Sequence, residues 1–281
     1  MVLWQKLKSD KIALCCIVIL LVILISGIFA PVISPNSPVE TNIIHKFAPA
    51  SIKYPLGTDQ LGRCIFSRIL YGIRTTVILS IATMIATILI GVFLGTIAGF
   101  FQGIADEIIM RICDIMLSFP GEVMILAVVG ILGPGLSNVI IANIIVKWVW
   151  YTRMIRTIIM QYKDKNYVRF ARVSGCSTWY IMRKHLIPDA AGEIIVLATL
   201  DTGWVILNIS ALSFLGLGVQ PPTPEWGMML SEAKNVMSIH PLQMLPPGIA
   251  ILVVVAAFNF LGDSLKSALD PKTHEKIKEV T

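Results

Sequence analysis

Apolar runs long enough to cross a lipid bilayer recur along this chain and limit its fold more than any other feature. A transmembrane helix needs about 17–25 mainly apolar residues to span the roughly 30 Å hydrocarbon core. We find six such runs, at about residues 12–30, 76–101, 107–132, 136–157, 191–217 and 244–269. Only 14% of the residues are charged, whereas a soluble domain averages about 25%. The sequence therefore predicts an all-α membrane protein with six transmembrane helices.

Lysine and arginine are distributed unevenly between the connecting segments, and this distribution predicts the orientation of the chain. Segment 153–188, between the fourth and fifth runs, carries eight cations, whereas segment 218–243 carries only Lys234. Cytoplasmic loops are enriched in cations, and six spans return the chain to its starting side. We therefore expect both termini and the basic segment in the cytoplasm. Segment 31–74 departs from this rule, because it is expected outside the cell and also carries five cations.

This orientation divides the chain into four parts. They are a cytoplasmic N-terminus with the first helix (1–30), an extracytoplasmic segment (31–74), a membrane core (75–269) with a cytoplasmic loop (158–190), and a cytoplasmic tail (270–281). A cleaved signal peptide is the alternative for the first part, because Lys6, Lys8 and Lys11 precede its apolar run. That run has about 19 residues, more than the 7–15 usual in a signal peptide. We therefore expect an uncleaved span.

The basic stretch Asn166–Ala190, NYVRFARVSGCSTWYIMRKHLIPDA, stands out in an otherwise apolar chain. Its apolar residues alternate with cations in a pattern that predicts two short amphipathic helices, bent at Gly175 and stopped at Pro188. A solvated positive loop would explain the charges. It would not explain large apolar side chains such as Phe170 and Trp179, because an exposed apolar patch usually marks a contact with another protein. We therefore favour a docking surface for a protein partner.

Sequence patterns of nucleotide and metal sites are missing from the chain. It contains neither the phosphate-binding pattern G-x-x-x-x-G-K-[ST] nor the zinc pattern H-E-x-x-H. The cysteines show no C-x-x-C spacing and are interpreted as packing residues; they are Cys15, Cys16, Cys64, Cys113 and Cys176. The cations lie beside membrane spans, without interleaved aromatic residues, so we expect no nucleic-acid partner. The chain is thus expected to be neither an enzyme nor the holder of a metal or cofactor.

Polar residues inside the predicted spans are the candidates for a path through the membrane. Lys147 and Asp201 lie near the middle of the fourth and fifth runs, where a lone charge costs about 2.5–3.5 kcal/mol on insertion scales. Two interpretations stay open: a buried structural pair, or two side chains that face a watery path. The fifth run also contains Asn208, Ser210 and Ser213. Because it is too polar to face lipid all round, we expect it to line the path.

A stripe of glycines, Gly91, Gly95 and Gly99, recurs every fourth residue in the second run. Small residues at this spacing let another helix approach closely. The stripe is compatible with packing inside this chain's own bundle and with an interface to a second subunit.

The stretch Arg169–Pro188 resembles the coupling segment of permeases from binding-protein-dependent ABC importers. The pattern of that segment is E-A-A, three residues, Gly, nine residues, Ile, one residue and Leu-Pro. Ala171, Gly175 and Pro188 stand at matching positions. Four positions depart from the pattern: Arg169 and Phe170 replace the leading Glu and Ala, His185 replaces Ile, and Ile187 replaces Leu.

Three further stretches resemble the second permease subunit of the peptide/nickel importer family. They are YPLGTDQLGRCIFSRILYGIRTT (54–76), LSFLGLGVQPPTPEWGMMLSEA (212–233) and FNFLGDSLKSALDPK (258–272). The resemblance covers nearly the whole chain after about residue 50, although Cys64 stands where the family usually has Asp. KWVWYTRMIRT (147–157), LATLDTGW (197–204) and HPLQM (240–244) are closer to nickel permeases than to peptide permeases.

The resemblance implies a type I ABC importer permease in the cell membrane of a bacterium. It further implies a heterodimer with a homologous permease, two cytoplasmic ATPase subunits that hold ATP and Mg, and an extracytoplasmic substrate-binding protein. The cargo would be nickel or a chelated metal, with a di- or oligopeptide as the alternative. The residues implied to couple the chain to an ATPase are Phe170, Ala171, Arg172, Gly175, Cys176, Trp179, His185 and Pro188.

A function of another class stays open on the residues alone. A secondary transporter driven by an ion gradient would use Asp201 as its coupling acid. Such a transporter would predict internal repeats with broken helices in corresponding halves. We find no motif duplicated between the first and the last three runs, which favours the ABC importer.

Overall fold

A computed structural model describes Leu7 and residues 10–269 of the 281-residue chain. These residues form helices and loops, together with one isolated bridge between Thr58 and Cys64. The predicted all-α class is therefore confirmed. The predicted cytoplasmic tail (270–281), together with Lys6 and Lys8, lies outside the described residues.

The helices follow one another through the described part of the chain. The α-helices are α1 (Lys11–Ile28), α2 (Ala30–Ile33), α3 (Ile65–Ile73), α4 (Leu79–Phe101), α5 (Gly103–Leu117), α6 (Gly121–Leu132), α7 (Leu136–Lys163), α8 (Asn166–Val173), α9 (Thr178–Ile181), α10 (Ile187–Phe214), α11 (Trp226–Lys234) and α12 (Leu245–Leu269). Two π-helical turns, Arg74–Ile78 and Met182–Leu186, join α3 to α4 and α9 to α10. Short 3₁₀ helices occupy Ile43–His45 and Pro241–Met244.

Four helical segments among the described residues are long and apolar enough to cross a membrane. They are Lys11–Ile28, Ile65–Phe101, Thr178–Phe214 and Pro241–Leu269, and a fifth is reached if α5 and α6 count as one bent span. α7 is long enough, with 28 residues, but its asparagines and cations make it less apolar. The prediction of six spans is thus met in part, and the cytoplasmic side of the termini stays a prediction. The predicted boundary after residue 74 falls inside the continuous segment Ile65–Phe101.

The third predicted span, 107–132, is not a single helix. α5 ends at Leu117, α6 begins at Gly121, and their axes are bent by 86°. The break follows from Pro120, which has no N–H to continue the helix and disfavours helical geometry at the residue before it. The Ser118 hydroxyl donates to the Ile115 carbonyl over 2.7 Å and occupies an oxygen that the end of α5 leaves free. The apolar run 107–132 is therefore long enough for one span but forms two helices with a sharp bend between them.

The predicted stop at Pro188 is also wrong, because the helix that starts at Thr178 continues through this proline to Phe214. Pro188 lies in the first turn of α10, directly after the π-helical turn Met182–Leu186. A proline in a regular α-helix lacks one hydrogen bond and clashes with the carbonyl four residues earlier. The π-helical turn changes the hydrogen-bond spacing at this point, and the chain passes the proline without ending the helix.

The glycine stripe of the second run packs α4 against α7 of the same chain. A Cβ atom added at Gly91 would lie 2.5 Å from Cβ of Tyr151, and one added at Gly95 would lie 2.7 Å from the carbonyl oxygen of Thr152. One added at Gly99 would meet the carbonyl oxygen of Arg156 at 2.8 Å. Of the two uses left open for the stripe, close packing inside the chain's own bundle is therefore the one observed.

Among the described residues, two large apolar cores and a small one around Ala13 and Val196 hold the helices together. The larger one lies between α4, α7 and α10 and includes Tyr151, Ile155 and Ile209. The second surrounds Trp226 at the start of α11, which is 1% exposed and packs with residues of α1, α3 and α12. α7 and α10 therefore share the larger core, and the polar groups described next lie along these two helices.

Candidate functional sites

α7 and α10 run antiparallel and carry Lys147 and Asp201 at neighbouring levels. The Tyr151 hydroxyl on α7 donates a hydrogen bond to the Asp201 carboxylate on α10. One turn away, the Lys147 ammonium lies 3.1 Å from the ring centroid of Trp204 on α10. Each charged group thus has a partner on the opposite helix. These contacts differ from the direct ion pair that was one of our two interpretations.

A cavity of about 320 Å³ opens between α6, α7 and α10. Its charged lining consists of Glu122, Lys147 and Asp201, and Trp150 and Trp204 contribute aromatic walls. We call this space the α6–α7–α10 cavity. It contains both charged residues that the sequence singled out in the membrane, and their role in a path stays a prediction.

Glu122 is a lining residue that the sequence analysis did not single out. It stands in the first turn of α6, directly after the corner at Pro120, where the N-terminal end of a helix stabilises a negative charge. Its Oε2 accepts a 2.5 Å hydrogen bond from Nδ2 of Asn208. Asn208, a predicted path residue, is therefore hydrogen-bonded to a residue that lines the α6–α7–α10 cavity. An acid directly after a proline inside an apolar run is the signal that could have identified this residue.

The two remaining path candidates, Ser210 and Ser213, point their hydroxyls at the loop after α10. Ser210 Oγ donates to Glu225 Oε1 over 3.1 Å, and Ser213 Oγ accepts from the Val219 N–H over 3.2 Å. Both serines are buried. The structure does not bring them into the α6–α7–α10 cavity, and a role in lining the path stays a prediction for them.

Glu225 ties this loop to the second and fifth predicted spans. Its carboxylate accepts hydrogen bonds from the Thr76 hydroxyl (3.1 Å), from Ser210, and from the Met228 N–H (2.8 Å) at the start of α11. Burial raises the pKa of Glu225, whereas the backbone N–H groups of Gly227 and Met228 act in the opposite direction.

A second set of buried charges holds segment 31–74 and α3 to α11. Arg63 contacts Asp59 (Nε–Oδ2 2.6 Å) and Glu232 (Nη2–Oε2 2.8 Å), and Arg68 contacts the same Glu232 oxygen at 2.8 Å. Both arginines are 1% exposed. We call these four side chains the buried charge cluster. Two of the five cations in segment 31–74 are thus buried ion-pair partners. Cys64, where the family usually has Asp, is buried with a free thiol.

The basic stretch forms the two short helices that the sequence predicts, α8 and α9, joined by a turn at Gly175. Gly175 has φ +77°, a left-handed conformation that glycine adopts readily. The Gly175 N–H donates to the Arg172 carbonyl and the Cys176 N–H to the Ala171 carbonyl, over 3.0 and 3.1 Å, which closes the end of α8 in the usual C-terminal manner. We call residues 166–181 the docking knob.

Within the docking knob, one side packs on the bundle and the other faces outward. Val168 and Ala171 are buried in the main core. In contrast, the exposed fractions of Phe170, Val173 and Trp179 are 73%, 87% and 64%. Of the residues implied to couple to an ATPase, Phe170 and Trp179 are thus available on the surface, whereas Ala171 is occupied by packing.

The other implied coupling residues hold varied positions. The Arg172 guanidinium lies 5.0 Å from the Phe100 ring centroid, and the His185 ring lies about 6 Å from Tyr167 and Tyr180. Cys176 is half-buried and Pro188 is exposed. Arg172 and His185 therefore support the shape of this region through contacts within the chain.

An all-helical bundle with several apolar spans and a polar cavity is compatible with a transport protein. Residues 91–275 match the family of binding-protein-dependent transport system inner membrane components, and residues 2–50 match the N-terminal transmembrane domain of oligopeptide transport permease C. The chain belongs to this permease family of the peptide/nickel type. It is a multi-pass inner-membrane protein of a bacterium and a permease subunit rather than an enzyme.

Curated relatives align over almost the full length of the chain. It is 43% identical over 278 residues to the metal-staphylopine import system permease protein CntC of Staphylococcus aureus, covering 99% of this chain and 96% of that protein. It is 38% identical to the dipeptide transport system permease protein DppC of Alkalihalophilus pseudofirmus, covering 96% and 88%. Family membership thus favours the ABC importer over the gradient-driven secondary transporter.

A solved structure supports the fold independently. A chain of the MetNI methionine ABC transporter in an inward-facing conformation matches with a TM-score of 0.58 at 16% identity, covering 73% of this chain and 98% of that chain. At this identity the likeness concerns the fold alone, which is that of an ABC importer permease.

Proposed function

We propose that this chain forms half of the translocation pathway of an ATP-driven importer for a chelated metal ion, with nickel as one candidate metal. The observation that carries the proposal is the identity of 43% with a metal-staphylopine permease over 99% of this chain. The resemblance of segments 147–157, 197–204 and 240–244 to nickel permeases points the same way. In this proposal a homologous permease supplies the other half of the pathway, and an extracytoplasmic binding protein delivers the cargo.

The docking knob would transmit the work of two ATPase subunits, which hold ATP and Mg, to the membrane helices. Its outward side chains Phe170, Val173 and Trp179 are exposed, and surface patches of this kind usually mark protein contacts. Its inner side chains are buried in the core that contains α7 and α10. A displacement imposed on the docking knob would therefore reach the two helices that line the α6–α7–α10 cavity.

The cargo is tested by uptake in cells that lack the chain and carry it back on a plasmid. Three labelled substrates are compared: free nickel, nickel as an aminocarboxylate chelate, and a dipeptide. We expect chain-dependent uptake of the chelate. Uptake of the dipeptide alone would overturn the metal assignment in favour of the second candidate, a di- or oligopeptide importer, which the 38% identity to a dipeptide permease supports.

Coupling is tested by crosslinking from Cys176, which lies in the turn of the docking knob and is half-buried. We expect a thiol-directed crosslinker to join it to an ATPase subunit in intact membranes, with a yield that changes when nucleotide is bound. Single cysteines at positions 172–178 extend the test. A panel without any crosslink to an ATPase would leave the docking knob as a positive anchor at the membrane surface.

A further inference from the structure

Polar side chains make three contacts between α7 and α10, and we call this set of contacts the ladder. Tyr162 contacts Glu193, Tyr151 contacts Asp201, and Lys147 contacts Trp204. As the number rises along one helix it falls along the other, which fixes an antiparallel register. The same register places Asn143, one turn beyond Lys147, at the level of Asn208.

Two acceptors on this ladder lack a hydrogen-bond partner among the described residues. They are Oδ1 of Asn143 and Oδ1 of Asn208, whose side chains are buried. A buried carbonyl oxygen without a partner is costly, and such groups call for a bound water, ion or ligand. Asn208 also holds Glu122 through its amide. One of the two unpaired acceptors, on Asn208, therefore belongs to a side chain that contacts Glu122, which lines the α6–α7–α10 cavity.

The two charged groups of the cavity retain free binding capacity. Lys147 lies over the face of Trp204, and a cation–π contact of this kind involves the ring's electrons rather than a hydrogen-bond acceptor. An ammonium group has three donors. One oxygen of Asp201 accepts the Tyr151 hydroxyl, and a carboxylate has a second oxygen to offer. The protein thus positions Lys147 and Asp201 and leaves hydrogen-bonding groups of both side chains open to a ligand.

We infer that the α6–α7–α10 cavity is a transit site for a cargo that carries both a carboxylate and a positive centre. Lys147 would receive the carboxylate, and Asp201 with Glu122 would receive the positive centre, which is an ammonium group or a chelated metal cation. The inference rests on the proposed function. It adds that the permease itself contacts the cargo. A free hydrated metal ion would bind only the two acids, and a simple carboxylic acid would bind only Lys147.

The test uses the complete importer with Lys147→Met or Asp201→Asn, since neither change adds bulk. Lys234→Met is the matched control for the first, because Lys234 also lies over an aromatic ring, 5.4 Å from the Phe214 centroid, but is exposed at the end of α11 and does not line the cavity. Glu107→Gln is the control for the second, because it neutralises an acid that is 74% exposed outside the cavity. Membrane levels and basal ATP hydrolysis are measured for every variant.

In uptake assays we expect the apparent KM for the accepted cargo to rise about tenfold in each cavity variant, which corresponds to about 1.4 kcal/mol. The control variants should keep the wild-type KM. Lys147→Arg and Asp201→Glu should recover most of the affinity, because they retain the charge. Equal KM values in cavity and control variants at normal membrane levels would overturn the inference and leave the proposed function intact.

A binding assay decides the inference even where no uptake is found. Nickel nitrilotriacetate, glycylglycine, free nickel and acetate are titrated into the importer in nanodiscs while tryptophan fluorescence is followed, since Trp150 and Trp204 line the cavity. We expect a saturable change with one or both of the first two probes, abolished by Lys147→Met. A response to the chelate alone identifies a metal complex and a response to glycylglycine alone a peptide. A signal that is absent, or unchanged in both cavity variants, contradicts the inference.

Discussion

The buried charge cluster and the docking knob both contain arginines, but these arginines are buried and paired in the cluster and exposed in the docking knob. Arg63 and Arg68 in the cluster are 1% exposed and share Glu232 at 2.8 Å. Arg169 in the docking knob is 66% exposed and approaches Asp164 only to 3.9 Å. Apolar side chains show the reverse pattern, because Trp226 next to the cluster is buried whereas Trp179 in the docking knob is 64% exposed.

This difference separates a region that is complete within the chain from one that is not. The buried charge cluster pairs its charges within the chain, although Nη1 of Arg68 makes no hydrogen bond among the described residues and approaches Asp59 only to 3.6 Å. Its task is to hold segment 31–74 and α11 to the bundle. The docking knob leaves apolar surface uncovered, and burying one such side chain is worth about 1.5–3 kcal/mol to a partner. The first region should therefore respond to mutation through stability and the second through coupling.

The largest effect is expected in the buried charge cluster. Glu232→Met removes the carboxylate shared by Arg63 and Arg68, and breaking a buried ion pair from one side costs about 3–5 kcal/mol. We expect a correspondingly lower free energy of unfolding in a denaturant titration of the purified chain in detergent. Glu107→Met, which affects an i,i+4 pair with both side chains more than 70% exposed, should change it by about 0–1 kcal/mol. Similar losses in both variants would remove the distinction.

The docking knob was predictable because its determinants are local. Alternating apolar and basic residues on both sides of Gly175 predict α8, α9 and the turn, and the left-handed φ of Gly175 is what a helix-ending glycine usually adopts. The apolar runs likewise located most of the long helices. Their ends were less certain, since the second and fifth begin at Ile65 and Thr178, well before the apolar runs.

The polar contacts were not predictable in the same way because they join distant residues. Asn208 and Glu122 are 86 residues apart, and Arg63 and Glu232 are 169 apart. From the sequence, Arg63 was one of the five cations that made segment 31–74 an exception to the positive-inside rule, and no partner was predicted for it. The corner before Gly121 was missed because apolar residues on both sides of Pro120 masked its effect on the helix. Only the folded chain shows that Asn208 contacts Glu122 and that Arg63 contacts Glu232.

The next largest effect is expected when charge is placed on the outward face of the docking knob. Phe170→Asp or Trp179→Asp should sharply lower uptake per ATP hydrolysed while folding is retained, because these side chains contribute little to the chain's own core. Lys184→Gln should act less, since an exposed ion pair is worth about 0–1 kcal/mol. Ile52→Asp is the control in the other region, because Ile52 is fully exposed. Normal coupling in Phe170→Asp would contradict a docking role.

A smaller energetic effect is expected at the turn of the docking knob, although its consequence for uptake is large. A Cβ at Gly175 would meet nothing within 4 Å in this chain, but φ is +77°, and a left-handed residue with a side chain costs about 1–2 kcal/mol. Gly175→Val should abolish uptake at a normal membrane level. Gly175→Asn should retain more uptake, because asparagine tolerates this conformation. Equal loss in both variants would indicate contact with a partner rather than backbone strain, and normal uptake by Gly175→Val would exclude both.

The smallest effect is expected from Arg169→Gln, which removes a cation from the docking knob without touching its apolar face. Its pair with Asp164 joins side chains that are 66% and 73% exposed at 3.9 Å, so water and salt screen it and its contribution should be about 0–1 kcal/mol. We expect an unchanged free energy of unfolding, in contrast to Glu232→Met. Uptake should fall modestly, and the difference from the wild type should shrink as the salt concentration rises, because Arg169 would guide the approach of the ATPase rather than hold it. A loss of uptake as severe as that of Trp179→Asp, independent of salt, would show that cations rather than apolar side chains dominate the contact, and the contrast drawn between the two regions would then apply to folding alone.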